Sequence, residues 1–74
     1  MNLEESVQKI MRLVFETNEI TPDVSQKNCP KWDSLHHLTL ASELEEYFEI
    51  ELEPEEIAEM TDYSRVIAML ESKL

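Results

Sequence analysis

Residues 33–50 have the sequence DSLHHLTLASELEEYFEI, which decides the fold because it predicts a capped amphipathic helix. Asp33 is a strong N-cap residue, since its carboxylate can accept backbone N–H groups at the positive end of the helix dipole. Helical spacing extends the helix to Phe48. The side chains predicted to face inward are Leu35, Leu38, Ala41, Leu44 or Tyr47, and Phe48. Ser34 precedes this stripe and is expected to face the solvent.

A first helix and a long loop precede this stretch. Apolar residues recur at helical spacing between Leu3 and Phe15, which predicts a helix over about residues 2–17. The loop that follows is long for so small a domain, and one helical turn is expected near Asp23 and Val24. The residues expected to pack this loop against the core are Ile20, Val24, Cys29 and Trp32.

Two more helices are predicted in the last third of the chain. Pro54 and the two acids after it open a short third helix, and Thr61 or Asp62 caps a final helix that continues to about residue 74. The apolar residues of these two helices are Ile57, Met60, Val66, Ile67, Met69, Leu70 and Leu74. The sequence therefore predicts an all-α four-helix bundle with three longer helices and one short third helix, forming a single domain over residues 1–74.

The composition argues against several classes of function. The chain has 74 residues, with 6 Lys and Arg against 17 Asp and Glu, and a formal net charge of −11. Such a charge opposes binding to nucleic acid and to anionic membranes, because both are polyanions. The acidic N-terminal residues give no sign of a signal peptide, and the apolar runs are too short to predict membrane insertion. The lone cysteine, Cys29, fits a reducing cytosol, so a cytoplasmic location is expected. The chain is also expected to be a monomer.

Two sets of side chains allow more than one interpretation. His36 and His37 are adjacent and so do not share a helix face, which favours histidines exposed to solvent or to a partner over a metal site. Three methionines either line an adaptable pocket or belong to an ordinary core, and the core is favoured. They are Met11, Met60 and Met69.

The stretch around Ser34 resembles the central region of the acyl carrier protein family. Asp33-Ser34-Leu35 and Leu44-Glu45-Glu46-Tyr47-Phe48 stand where the family has Asp-Ser-Leu and Leu-Glu-Glu-x-Phe. The Pro54-Glu55-Glu56 turn and Thr61-Asp62-Tyr63 resemble later parts of the family. The resemblance covers essentially the whole chain and is strongest to free-standing, specialised carriers.

This resemblance implies a carrier and not an enzyme. Ser34 would hold 4′-phosphopantetheine, transferred from coenzyme A by a phosphopantetheinyl transferase, and Asp33 would flank the attachment as cap and recognition residue. The thiol of this arm would carry acyl intermediates as thioesters, as in lipid or polyketide biosynthesis. Enzymes that load and use the acyl group would present basic docking patches to the acidic carrier. The positions implied for partner binding are Leu35, His36, Leu38, Thr39, Ser42, Glu45 and Glu46.

Three positions after Ser34 depart from the family pattern, and Trp32 stands before Asp33 in place of a glycine. His36 and Thr39 stand where the family often has acidic residues, and Ser42 stands where it usually has an apolar one. The departures argue against the usual fatty-acid synthase partners but leave the attachment chemistry unchanged. Two alternatives are an aminoacyl or peptidyl carrier and a small acidic interaction module that has no cofactor.

We expect added salt, divalent cations or mild acid to raise the melting temperature, because each reduces repulsion among uncompensated negative charges. Thermal melts followed by circular dichroism at increasing sodium chloride concentration measure this effect. A melting temperature that does not respond to salt at neutral pH would contradict the expectation.

Overall fold

The computed structural model describes residues 2–74, and these residues form four helices and no strand. The helices are α1 (Leu3–Val14), α2 (Ser34–Phe48), α3 (Pro54–Glu59) and α4 (Tyr63–Lys73). The predicted all-α bundle with a short third helix is therefore confirmed. Of the helices within residues 2–74, none combines the length and apolar character that a bilayer crossing requires.

The three longer helices each begin at a side-chain cap. The cap residues are Asn2, Asp33 and Asp62. Each side chain accepts a hydrogen bond of 2.8–2.9 Å from the backbone N–H three residues further along the chain. These bonds satisfy N–H groups that have no partner inside the helix. The structure thus confirms Asp33 as a cap and selects Asp62 over Thr61 for α4.

The end of α1 is set by a left-handed residue. Glu16 has φ 54°, and the Thr17 N–H donates to the Arg12 carbonyl at 3.1 Å. A backbone hydrogen bond that spans a residue in the left-handed conformation is typical of a helix C-terminus. The helix therefore stops at Val14 and not near residue 17, as the sequence pattern predicted, because the backbone reverses at Glu16.

The end of α2 uses the same device. Glu49 has φ 55°, and the Ile50 N–H donates to the Glu45 carbonyl at 3.1 Å. Glycine is the residue that adopts this conformation most readily, but the chain contains none. Two glutamates therefore occupy positions at which a side chain strains the backbone.

The core draws side chains from α1, α2, α4 and the connections between the helices. The largest fully buried side chains are Phe15, Met11, Leu40, Leu44, Met60, Leu70, Val7 and Val66. Met11 and Met60 therefore belong to the core, which confirms the favoured interpretation for these two methionines. Leu74 was predicted to lie on the apolar side of α4, but it is 64% exposed because it follows the last helical residue.

The side of α2 that faces the core differs from the prediction. The buried residues of α2 are His37, Leu40, Ala41 and Leu44, which are spaced as one helical stripe. Leu35 is 71% exposed and Leu38 is 58% exposed, so the prediction of these two as inward residues is wrong. It was built on repeated steps of three residues, and each such step turns about 60° short of a full circle.

Hydrogen-bonded turns order the long loop between α1 and α2. The Val24 N–H donates to the Thr21 carbonyl at 3.1 Å, so the expected turn forms here but is not helical. The Asn28 side chain donates to the Asp23 carbonyl at 2.9 Å. The Tyr63 N–H donates to the Val24 carbonyl at 2.9 Å, which joins the loop to the start of α4.

Polar contacts hold α3, which has no fully buried residue. The Glu56 carboxylate accepts a hydrogen bond from the Glu53 N–H and lies 2.8 Å from Lys73 Nζ on α4. The hydrogen bond from Glu53, followed by the contact with Lys73, lowers the pKa of Glu56 below its ordinary value of 4.5. The third helix therefore depends on ionised Glu56 as well as on packing.

We expect Glu16→Gly and Glu49→Gly each to stabilise the fold by about 1 kcal/mol, because glycine adopts left-handed backbone without the strain that a side chain adds. Urea unfolding measures the change. The matched controls are Glu16→Gln and Glu49→Gln, which remove the same charge but keep a side chain. If each glutamine variant gains as much as its glycine counterpart, relief of charge repulsion explains the stabilisation instead.

Candidate functional site

Ser34 is the first residue of α2 and is exposed to solvent. The N-cap Asp33 precedes it, so the start of the helix fixes the position of the serine backbone. Its hydroxyl lies at the positive end of the helix dipole, where an anionic group is stabilised. A phosphate ester on this oxygen would therefore meet a favourable field and no enclosing side chains.

Asp33 and His36 form a side-chain contact beside Ser34. The Asp33 carboxylate accepts the His36 backbone N–H at 2.9 Å and lies 2.8 Å from His36 Nδ1. The backbone hydrogen bond, followed by the side-chain contact, lowers the pKa of Asp33 below its ordinary value of 3.8. Asp33 therefore stays negatively charged next to Ser34 at neutral and mildly acidic pH.

Trp32 and His37 form a buried pair behind the start of α2. Trp32 Nε1–H donates to His37 Nδ1 at 2.9 Å, and His37 Nε2 lies 2.7 Å from the Ile57 carbonyl oxygen. An indole nitrogen only donates and a carbonyl only accepts, so these contacts assign His37 the neutral form with its proton on Nε2. The prediction that His37 is exposed is wrong, because both ring nitrogens have partners inside the fold.

Aromatic stacking extends this pair to α1. The Trp32 ring lies 5.0 Å from the Phe15 ring and 6.2 Å from the His37 ring, measured between centroids. The residue just before Asp33 is therefore anchored on two sides. His37 is the residue of this region that the sequence analysis missed. Its helical spacing to Leu40 was a usable signal, but a search restricted to apolar residues passes over it.

Four of the residues singled out on α2 share one exposed face. They are Ser34, Leu38, Ser42 and Glu46, spaced four residues apart, and all are exposed. Leu38 supplies an apolar side chain to this face, with 58% of its surface accessible. The face therefore presents a hydroxyl, an apolar contact and a carboxylate in a row.

Glu45 and Thr39, which were also singled out on α2, have structural contacts. Glu45 is half-buried, and its carboxylate accepts the Leu52 N–H at 2.9 Å, which holds the connection to α3. The Thr39 hydroxyl donates to the Leu35 carbonyl at 3.1 Å. Leu35, His36 and Thr39 lie on the flank of α2 that faces α1, away from the Ser34 face.

The histidine pair is not arranged for a metal. His36 contacts Asp33, whereas His37 contacts Trp32 and Ile57. Within residues 2–74, no group of three or more His, Cys, Asp or Glu side chains is placed to bind a metal ion.

We expect the melting temperature to fall when the pH drops below about 4. The pKa values of Asp33 and Glu56 are lowered from 3.8 and 4.5, so their contribution to stability is complete above those values and is lost as the pH falls through the folded values. Melts from about pH 7 to about pH 2 test this. Asp33→Asn keeps a capping side chain but does not titrate, so its decline should be shallower. Equal declines in both proteins would contradict the role of Asp33.

The fold is similar to that of a solved carrier. The chain matches the solution NMR structure of a holo acyl carrier protein from Geobacter metallireducens with a TM-score of 0.86 and 25% sequence identity. The match covers 99% of this chain and 86% of that one. No family model and no curated protein matches the chain. The resemblance to the acyl carrier protein family that the residues around Ser34 indicated is therefore confirmed at the level of the whole fold.

Proposed function

We propose that residues 1–74 form a carrier domain that holds acyl intermediates as thioesters on a 4′-phosphopantetheine arm attached to Ser34. The observation that carries this proposal is the exposed Ser34 hydroxyl at the start of α2, in a fold like that of a holo acyl carrier protein. The arm supplies the thiol at which thioesters form, and the protein supplies attachment and recognition.

The residues around Ser34 fit a phosphodiester. The start of α2 favours negative charge, and the buried Trp32 together with the cap Asp33 holds the serine in place. In the attachment step, Ser34 Oγ forms a bond to the phosphorus of the pantetheine phosphate of coenzyme A. The hydroxyl proton passes to the transferase, the pyrophosphate bond breaks, and 3′,5′-adenosine bisphosphate leaves.

The contacts of the two histidines support a carrier and not a catalyst. A serine that acts as a nucleophile needs a base within hydrogen-bonding reach. His36 Nδ1 contacts Asp33, and both ring nitrogens of His37 are engaged by Trp32 and Ile57. Within residues 2–74, neither ring is hydrogen-bonded to the Ser34 hydroxyl. The attachment of the arm therefore depends on a separate transferase.

The exposed face of α2 is the surface we assign to partner enzymes. Ser34, Leu38, Ser42 and Glu46 lie along it, so a partner would need an apolar contact surrounded by basic side chains. The net charge of −11 would attract such a partner over long distances. Exposed ion pairs are individually weak and screened by salt, so release would be rapid.

We expect a mass increase equal to one phosphopantetheine group when the purified protein is incubated with coenzyme A and a broad-specificity phosphopantetheinyl transferase. Intact-protein mass spectrometry measures it. Ser34→Ala should show no increase, because the accepting hydroxyl is gone. Ser64→Ala is the matched control, since it removes an exposed serine on α4, outside the face assigned to partners, and should be modified like the wild type.

Any other result of the mass measurement would contradict part of the proposal. An unchanged wild-type mass would reject the carrier and favour an acidic interaction module without a cofactor. An increase that persists in Ser34→Ala would reject Ser34 as the attachment residue. An aminoacyl or peptidyl carrier shares the attachment chemistry and would differ from an acyl carrier only in the enzymes that load it.

A further inference from the structure

His37 is a buried titratable side chain that the attachment reaction does not use. It is 8% exposed. Ser6 is the other buried polar side chain within residues 2–74, and it does not titrate near neutral pH. An unperturbed histidine changes its charge between about pH 5 and about pH 8. His37 is therefore the side chain at which mild acid can place a charge inside the fold.

The two ring nitrogens of His37 join α2 to two other parts of the chain. Nδ1 accepts the Trp32 indole N–H at 2.9 Å, and Nε2 donates to the Ile57 carbonyl at 2.7 Å. We call these two hydrogen bonds the His37 bridge. Within residues 2–74, the other polar contact between α3 and another helix is that of Glu56 with Lys73. The position of α3 beside α2 therefore depends on the His37 bridge as well as on the partial burial of Ile57.

A protonated His37 cannot keep this pattern of hydrogen bonds. An imidazolium carries a proton on both ring nitrogens and accepts no hydrogen bond, and an indole nitrogen can only donate. The N–H groups of Trp32 and His37 would then point at each other across 2.9 Å. Rotation of the ring does not help, because both of its nitrogens are donors in the charged form. Trp32 would therefore lose its acceptor inside the fold, where an unpaired N–H group is unfavourable.

The charged groups beside the stacked rings and beside Ile57 are engaged by other partners. The Glu53 side chain accepts a backbone N–H at the start of α3. The other groups form three pairs, which are Glu16 with Lys31, Asp33 with His36, and Glu56 with Lys73. They lie after α1, in the long loop, and on or beside α2, α3 and α4. Within residues 2–74, both hydrogen-bond partners of His37 are uncharged, so no carboxylate bonded to the ring would compensate a positive charge.

We propose that His37 is a positioning residue for the attachment at Ser34, and that it holds the start of α2 only while its ring is neutral. This inference rests on the proposed function. Trp32 lies two residues before Ser34, so loss of its hydrogen bond loosens the backbone that the transferase must recognise. The His37 bridge is complete at high pH and is lost as the pH falls and the ring gains a proton. Mild acid then weakens binding of the transferase without altering the Ser34 hydroxyl itself.

The indole N–H signal of Trp32 tests the bridge in the full chain without the arm, because the sequence has a single tryptophan. Proton–nitrogen NMR spectra are recorded from about pH 8 to about pH 5. We expect the indole signal to move as the ring nitrogens of His37 change to the doubly protonated form. Mild acid also relieves repulsion among carboxylates, so this signal is followed and not the melting temperature. An indole signal that stays in place while His37 gains a proton, or a His37 ring that gains none in this range, would overturn the proposal.

Two variants separate the adjacent histidines. In His37→Asn, the amide oxygen branches from the same carbon as Nδ1, so it can accept from Trp32 but does not titrate. We expect the indole signal of this variant to be independent of pH. His36→Gln is the matched control, because it removes the neighbouring histidine and keeps the bridge, so its indole signal should move as in the wild type. A shift that persists in His37→Asn, or disappears in His36→Gln, would contradict the role of His37. The wild-type titration decides alone if His37→Asn does not fold.

The kinetics of the transferase test the link to Ser34. KM and kcat of the wild type and of His37→Asn are compared at about pH 8 and at the pH at which NMR finds half of the His37 rings protonated. Half of the wild-type molecules then lack the bridge, so the wild-type KM should rise about twofold relative to that of the variant, while the ratio of kcat values stays constant. Taking the ratio removes the pH dependence of the transferase itself. A ratio of KM values that does not change with pH would overturn the proposal.

Failure of the bridge and failure of the carrier are distinguishable. The NMR titration uses protein without the arm, so its result does not depend on the proposed function. A missing mass increase after incubation with coenzyme A and transferase rejects the proposed function itself. A full mass increase, together with an indole signal that does not respond to protonation of His37, rejects only the positioning role of His37.

Discussion

The indole of Trp32 donates a hydrogen bond to His37 and stacks on Phe15, and the rest of the structure depends on this contact. It joins the end of α1, the long loop and α2, and His37 extends it to α3 through the Ile57 carbonyl. Loss of either partner would leave a buried polar group unsatisfied, which costs about 1–3 kcal/mol. Trp32 lies two residues before Ser34, so this contact anchors the backbone that leads into α2.

Local signals in the sequence were sufficient to predict most of the fold. Asp33 and Asp62 are caps because short carboxylates satisfy free N–H groups at helix starts, and that chemistry needs no distant partner. The short α3 follows from Pro54 in the same way. The exposure of Ser34 was also predicted, although the reason given was wrong, because Leu35 does not turn inward.

The parts that could not be predicted depend on contacts between distant residues. His37 is buried because Trp32 and Ile57 satisfy its two ring nitrogens. A pattern of apolar residues does not indicate such hydrogen-bond partners. The early end of α1 depends on a left-handed Glu16, where glycine would have been the recognisable signal. The open groove beside Leu35 is formed by residues of both α1 and α2. It therefore cannot be predicted from the sequence of either helix alone.

The burial of Trp32 makes this residue a built-in fluorescence probe. It is the only tryptophan in the chain, and it is 2% exposed, two residues from Ser34 and in contact with an imidazole. The tryptophan fluorescence of the protein therefore originates at a single position. Its emission wavelength and intensity report the environment of the loop that leads into α2. An enzyme that distorts this loop while docking would be detected by titration, without any added label.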